Sequence, residues 1–326
     1  MSRAFSIVLV AAAIAASVAG RAGAAAPQVR LPRDHAGHPG SSIEWWYFTA
    51  VVHDRSGRRY SVFFTLFAGR GALVPVAVVR DLATGKLVGK SEQLAPGRVG
   101  TAAVDVHAAD SSLRYLPGTN TWSFSVSRPG LQVALEQAPE KPYVLNGGGS
   151  GLIRQSTAGS SHYYSDTRMR ASGTLRVGGR TLTVSGESWF DHQWGDYANE
   201  PRAFNWDWFS CRFADRTELM LYQFLDRATG RPLPDLGNGT FVDARGRATG
   251  ITAFRITHDT HALAAAGRRW PLDWQLRVPA LALVEHVHAV LPDQLVRTTL
   301  LPVFWEGVAR ATGTRTGTCF VEIAYR

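Results

Sequence analysis

Apolar and polar positions alternate with a period of two along much of the chain. From Arg59 to Phe67, Tyr60, Val62, Phe64 and Leu66 share one face, while Ser61, Phe63, Thr65 and Phe67 share the other. That is the pattern of an extended strand, and convincing helical periodicity is nearly absent. Turn chemistry recurs at short intervals, in Asp54-Arg55-Ser56-Gly57, Ala83-Thr84-Gly85, Arg128-Pro129-Gly130, Val177-Gly178-Gly179 and Asp243-Ala244-Arg245-Gly246. Many short strands joined by hairpins predict an all-β chain of sandwiches or up-and-down barrels, without βαβ units.

Two stretches repeat one another. Trp45-Trp46-Tyr47-Phe48 precedes the Asp54 to Gly57 turn and Val62-Phe63-Phe64, and Trp206-Asp207-Trp208-Phe209 precedes Asp215-Arg216-Thr217 and Leu219-Met220-Leu221. The spacing predicts a duplicated unit, two antiparallel β-barrels in tandem over residues 27–197 and 198–326. The run Gly147-Gly148-Gly149-Ser150-Gly151 lies inside the first unit. It is expected to be a mobile loop over a barrel mouth, or a place where backbone approaches a ligand.

The start of the chain changes the picture. Arg3 precedes an apolar stretch from Ala4 to Ala19, and small residues run to Ala26 before the polar segment that begins at Pro27. Residues 1–26 therefore read as a signal peptide, cleaved after Ala22-Gly23-Ala24 or Ala24-Ala25-Ala26, which predicts a periplasmic or secreted protein. The apolar core falls short of the ~20 residues that cross a bilayer, so no stable membrane insertion is expected after its removal. Loss of Arg3 and Arg21 lowers the formal charge from +9 to +7. The positive charge is almost all arginine, with Lys86, Lys90 and Lys141 the only lysines, and no basic run exceeds two or three residues; nucleic acid is not an expected partner. Cys211 and Cys319 are the only cysteines, compatible with one bridge or with two small buried residues.

Candidate chemistry centres on Glu187-Ser188-Trp189-Phe190-Asp191-His192-Gln193-Trp194-Gly195. In a strand Glu187, Trp189 and Asp191 point the same way, so two carboxylates flank one indole. Burial among aromatic rings raises a carboxyl toward the range of a general acid, and His192 titrates near neutrality. Glu44-Trp45-Trp46-Tyr47, Asn205-Trp206-Asp207-Trp208 and Phe304-Trp305-Glu306-Gly307 again set carboxylates beside indoles, as pockets for apolar ligands and cations do. His162-Tyr163-Tyr164-Ser165-Asp166 adds phenols, one of which should face inward. His286 and His288 share a strand face and His258 and His261 sit close together, but no third ligand appears in sequence, and His286 and His288 are expected to be packed histidines rather than metal ligands. No phosphate loop, dinucleotide fingerprint or nucleophile elbow occurs, and no cofactor is expected.

With these motifs in view, the chain resembles the AttH-like family, lipocalin-like proteins that include the carotenoid 1,2-hydratases, or hydroxyneurosporene synthases. The ordered series runs from Glu44-Trp45-Trp46-Tyr47 through Tyr163-Tyr164-Ser165, Gly186 to His192, Trp206 to Phe209, Glu218-Leu219-Met220 and Trp305-Glu306-Gly307 to Val321-Glu322. It departs at Gln193, where many relatives carry glutamate, and at Tyr222-Gln223-Phe224, which offers no carboxylate before Asp226. The resemblance implies two lipocalin-like barrels and hydratase-like acid catalysis on hydrophobic, isoprenoid-like molecules.

The expected site has Asp191 as the acid, its pKa raised by Trp189 and Trp194, with His192 orienting it and Asp207 or Glu44 placing water. Trp46, Trp206 and Trp305 are expected to wall the pocket, with Glu187, Tyr164 and Tyr222 also facing the ligand. The rival expectations are a non-catalytic carrier of an apolar ligand and a secreted hydrolase.

Overall fold

Both faces of the central strands are apolar because each face belongs to a different core. The computed structural model describes residues 29–155, 159–196 and 204–325; the expected signal peptide lies outside them. Among the described residues the ordered elements are β-strands and three short 3-10 turns, Arg33–His35, Pro234–Leu236 and Pro279–Leu281. No helix there is long and apolar enough to cross a membrane.

The strands form two large antiparallel sheets, each curled into a half-barrel. In the first, Leu87–Glu92, Ala72–Asp81, Arg59–Gly69 and Ile43–Asp54 lead to Arg180–Gly195, and the order continues through Ser160–Val177, Leu131–Pro139 and Thr121–Arg128. In the second, Asn238–Val242, Glu218–Asp226 and Phe204–Phe213 lead to Gly317–Ala324, then Phe304–Gly313 and Leu283–Ala289. Each sheet thus closes its opening hairpin against its last long strand. The two Trp-rich stretches that repeat in sequence occupy the same place in both sheets, the strand that begins this hairpin.

Alternation then sorts the side chains into three cores. Trp46, Phe48, Tyr60, Phe64 and Phe190 fill the first half-barrel; Phe209, Leu221, Trp274, Trp305 and Val321 fill the second. The opposite faces, with Tyr47, Phe63 and Trp189 from the first sheet and Trp208, Met220 and Phe320 from the second, pack against each other in an inter-sheet layer.

Two expectations find their outcome here. Cys211 and Cys319 stand opposite each other on neighbouring strands within the second core and are bridged. The glycine run is a packed turn: Gly147, Gly148, Gly149 and Gly151 all have positive φ. A Cβ on Gly250 of the second sheet would lie 2.6 Å from the Gly148 Cα, so backbone approaches backbone there.

Candidate functional site

The strand Arg180–Gly195 decides which groups meet. Its odd-numbered residues Trp189 and Asp191 enter the inter-sheet layer, while Phe190, His192 and Trp194 face the first half-barrel. Asp191 and His192 are chain neighbours in regular extended backbone and therefore point to opposite faces. The expectation that His192 orients Asp191 is corrected by that geometry.

Asp191 is held from three sides. Ser165, opposite it in register, donates its hydroxyl to Oδ1 at 2.5 Å, and the Trp189 Nε1 donates to the same oxygen at 2.8 Å. Tyr163 also bonds to it, and the Tyr163 hydroxyl accepts the Trp208 indole N–H of the second sheet at 3.1 Å. Burial pushes the Asp191 carboxyl up to about 7, against these donors. The indoles do not raise it as expected, because the Trp189 N–H favours the charged form and Trp194 faces the other way.

The second sheet brings two further carboxyls. Glu306 and Glu322 stand opposite each other in register and hydrogen-bond, an arrangement that asks one of them to keep a proton. The Tyr47 hydroxyl, beside Asp191 in the first sheet, donates to Glu306 Oε1 at 2.8 Å, and Trp206 Nε1 donates to Glu322 Oε1 at 2.6 Å. Burial first, then the Glu322 charge, pushes Glu306 well above the ordinary carboxyl range. Among the described residues no guanidinium or ammonium is hydrogen-bonded to Asp191 or Glu306.

The remaining expected residues fall elsewhere. Tyr222 shares the inter-sheet layer and accepts the Gln155 side-chain amide at 3.0 Å. Glu44, Trp46, Tyr164, His192 and Trp194 gather at the first half-barrel. There His192 Nε2 lies 2.8 Å from Glu44 Oε1 and its Nδ1 3.2 Å from the Tyr164 hydroxyl. Burial lowers the His192 imidazole, with Glu44 opposing. Burial would raise Glu44, but His192 and His38 outweigh it and hold the carboxyl below its usual range.

Asp207 points into the second half-barrel, where Gln223 donates to it at 2.7 Å and burial raises it to about 6; it is walled off from Asp191 by its own sheet. Trp305 is a core ring of that half-barrel, its Nε1 bonded to the Pro292 carbonyl at 2.9 Å, while Glu306 beside it takes the inter-sheet face. Trp46 likewise bonds a carbonyl, that of His35 at 2.9 Å. Glu187 leaves the layer at its edge, with a side chain 49% exposed and paired with Arg168 and Arg212, so it braces the rim. His286 and His288 are exposed rather than packed as expected, and His288 and His261 both bond Asp273 at the surface.

This order of motifs, carried on two half-barrels, has a match. A profile of the AttH-like family covers residues 22–325. The chain belongs to the AttH-like family. Its fold is similar to that of an AttH protein of Nitrosomonas europaea, at TM-score 0.83 and 21% identity over 92% of this chain and 98% of that one. It is also similar to kievitone hydratase from Nectria haematococca, at TM-score 0.77 and 19% identity over 92% and 93%. CghA crystallised with Sch210972 matches at TM-score 0.58 and 9% identity over 87% and 88%. At these identities the likeness is one of fold, the tandem lipocalin-like architecture. No curated protein matches the chain.

Sequence reasoning missed four groups of the AttH-like chain's inter-sheet layer, Tyr47, Tyr163, Glu306 and Glu322. Their signal was present: Glu306 and Glu322 lie in motifs that carried the family resemblance, but Trp305 drew attention from its neighbour. His35 and His38 were also missed. Asp34-His35-Ala36-Gly37-His38 crowds three titratable groups into five residues just before Glu44.

Proposed function

We propose that this AttH-like chain is an acid catalyst that adds water across, or shifts, a carbon–carbon double bond of an apolar small molecule, with Asp191 as the proton donor. One observation carries the reading: a fully enclosed carboxyl, with a pKa of about 7 and no bonded cation, lies between two aromatic sheets. Such a group is half protonated near neutrality, which suits general acid–base work. Its proton forms the new C–H bond. Water then closes on the electron-poor carbon and returns a proton to the Asp191 carboxylate.

The faces of Trp189, Trp206 and Trp208 suit the developing positive charge. Glu306 and Glu322, sharing a proton, suit the placing of water. His192 and Asp207 take no part in the step. That a hydratase by name shares the fold supports the reaction class, and the apolar layer around Asp191 supports a hydrophobic, isoprenoid-like substrate. Residues 1–26 are proposed to export the chain, which N-terminal sequencing of the mature protein tests.

Asp191→Asn is expected to keep the fold and ligand affinity and to lower turnover by about 10²–10⁴-fold. Wild-type turnover is expected to decline above about pH 7, as the acid loses its proton. Full turnover in the variant would remove Asp191 from the mechanism. If both proteins instead return a panel of bound alkenes unchanged, carriage replaces catalysis.

A further inference from the structure

The mouth of the first half-barrel holds a second constellation that the inter-sheet step does not use. His38 Nδ1 lies 2.7 Å and His192 Nε2 2.8 Å from the same oxygen, Oε1 of Glu44. The donor atoms of the three side chains all fall within 4.8 Å of one another. Glu44 and His192 are buried, and His38 stands at the rim of an open cleft of about 460 Å³ that Trp194, His162 and Asp196 also line.

Each of the three is oriented by contacts besides the side-chain pairings among them. Trp194 stacks flat on the His38 ring at 3.9 Å, and Trp46 stacks on His192 at 4.4 Å. The His38 backbone N–H fixes Glu44 Oε2 at 2.8 Å. The far nitrogen of each imidazole also faces an oxygen: His38 Nε2 lies 3.7 Å from Asp34 Oδ1, and His192 Nδ1 lies 3.2 Å from the Tyr164 hydroxyl. Each ring can therefore hold its proton on the far nitrogen and turn a lone pair toward Glu44, the tautomer that metal coordination requires.

From this geometry we infer that His38, Glu44 and His192 form a binding site for a zinc-class divalent cation, with a fourth position open to the cleft for water or a small oxygen ligand. Two imidazoles and one carboxylate are a donor set that suits such an ion. A tetrahedral ion with bonds of about 2.0–2.1 Å would set its ligands roughly 3.3 Å apart. Each imidazole–carboxylate spacing would have to open by about half an ångström, which movement of the rim residue His38 and rotation of the Glu44 carboxylate can supply. The cation would also tie the segment around Arg33–His35 to the strand Ile43–Asp54. The site is independent of Asp191, which faces the other side of its sheet.

Full-length mature protein, stripped with a chelator and dialysed, is titrated with zinc alone and with cobalt alone, and metal content is measured after desalting. Wild type is expected to keep one equivalent, to melt at higher temperature with zinc than without, and to give the visible absorption of low-coordinate cobalt. His38→Ala and Glu44→Gln, each checked for native circular dichroism, are expected to lose all three signals. Tyr164→Phe is expected to weaken binding about 10–100-fold by removing the oxygen behind His192. His261→Ala/His288→Ala, at the exposed surface pair, is expected to retain the metal. No retained equivalent in wild type overturns the inference. So does equal retention by whichever of His38→Ala and Glu44→Gln is folded, or its loss in the surface variant.

Discussion

The two ends of the inter-sheet layer bury acidic groups in opposite ways. At one end Glu218 of the second sheet receives the Lys141 ammonium at 2.7 and 2.9 Å, from the connection after Leu131–Pro139, and the Arg168 Nε at 2.6 Å, from a strand of the first sheet. Lys141 also donates to the Asp243 carbonyl at 2.9 Å, and Arg168 to the Phe213 carbonyl at 3.0 Å. At the other end Asp191 and Glu306 bond phenols, an indole, a hydroxyl and the Glu322 carboxyl, and neither bonds a cation among the described residues. Burial raises carboxyls at both ends; cations oppose it at Glu218, whereas at Glu306 the neighbouring carboxyls add to it. Paired charge joins the sheets at Glu218, whereas Asp191 and Glu306, with no cation bonded, hold their protons more tightly than ordinary carboxyls.

The largest test of this contrast is to break the paired end. Lys141→Met removes one cation and leaves its hydrogen-bonding carbonyls and Glu218 short of a partner. Removing one member of a buried pair costs about 3–5 kcal/mol, so denaturant unfolding should show a loss of that order. A loss under about 1 kcal/mol would mean that the ionic end does not hold the sheets together, since that is what an exposed pair contributes.

At Asp191 the prediction is one of pH. The folded chain keeps a proton on Asp191 up to about pH 7, whereas the unfolded chain releases it near 3.8. Stability from this group is thus fully present below about pH 4 and is lost as pH rises through 7. At about 1.4 kcal/mol per pH unit, that interval is worth of the order of 4 kcal/mol. Asp191→Asn should therefore match wild type near pH 4 and exceed it in stability near pH 8. Parallel stability curves across that range would show that the carboxyl is not held protonated.

How much of this was legible follows from which signals are local. Alternation and turn residues are local, and they gave the all-β architecture and the equivalence of the Trp45 and Trp206 strands. The separation of Asp191 from His192 was implicit in the same period of two. What alternation cannot supply is which apolar face looks into a half-barrel and which into the layer between sheets, because Phe48 and Tyr47, or Phe190 and Trp189, are equally apolar. The meeting of Glu306 with Glu322, and of Cys211 with Cys319, depends on strand register, which no short segment encodes. His35 and His38 lie in and just beyond a 3-10 turn without periodicity, so nothing in their spacing pointed inward.

The smallest expected effect sharpens the boundary between the two ends. Glu187 shares a strand face with Asp191 and pairs with Arg168 and Arg212, but half of its side chain meets solvent. Arg168 retains Glu218 and the Phe213 carbonyl without it. Glu187→Gln should then cost less than Lys141→Met, about 1–2 kcal/mol, because the half-exposed amide can still accept from the buried Arg168 and Arg212, and that cost should shrink in high salt. Turnover should be unchanged, because four residues along an extended strand put Glu187 roughly 13 Å from Asp191. A large fall in turnover with stability intact would extend the reacting centre along the strand to the rim. The paired end would then serve chemistry as well as cohesion.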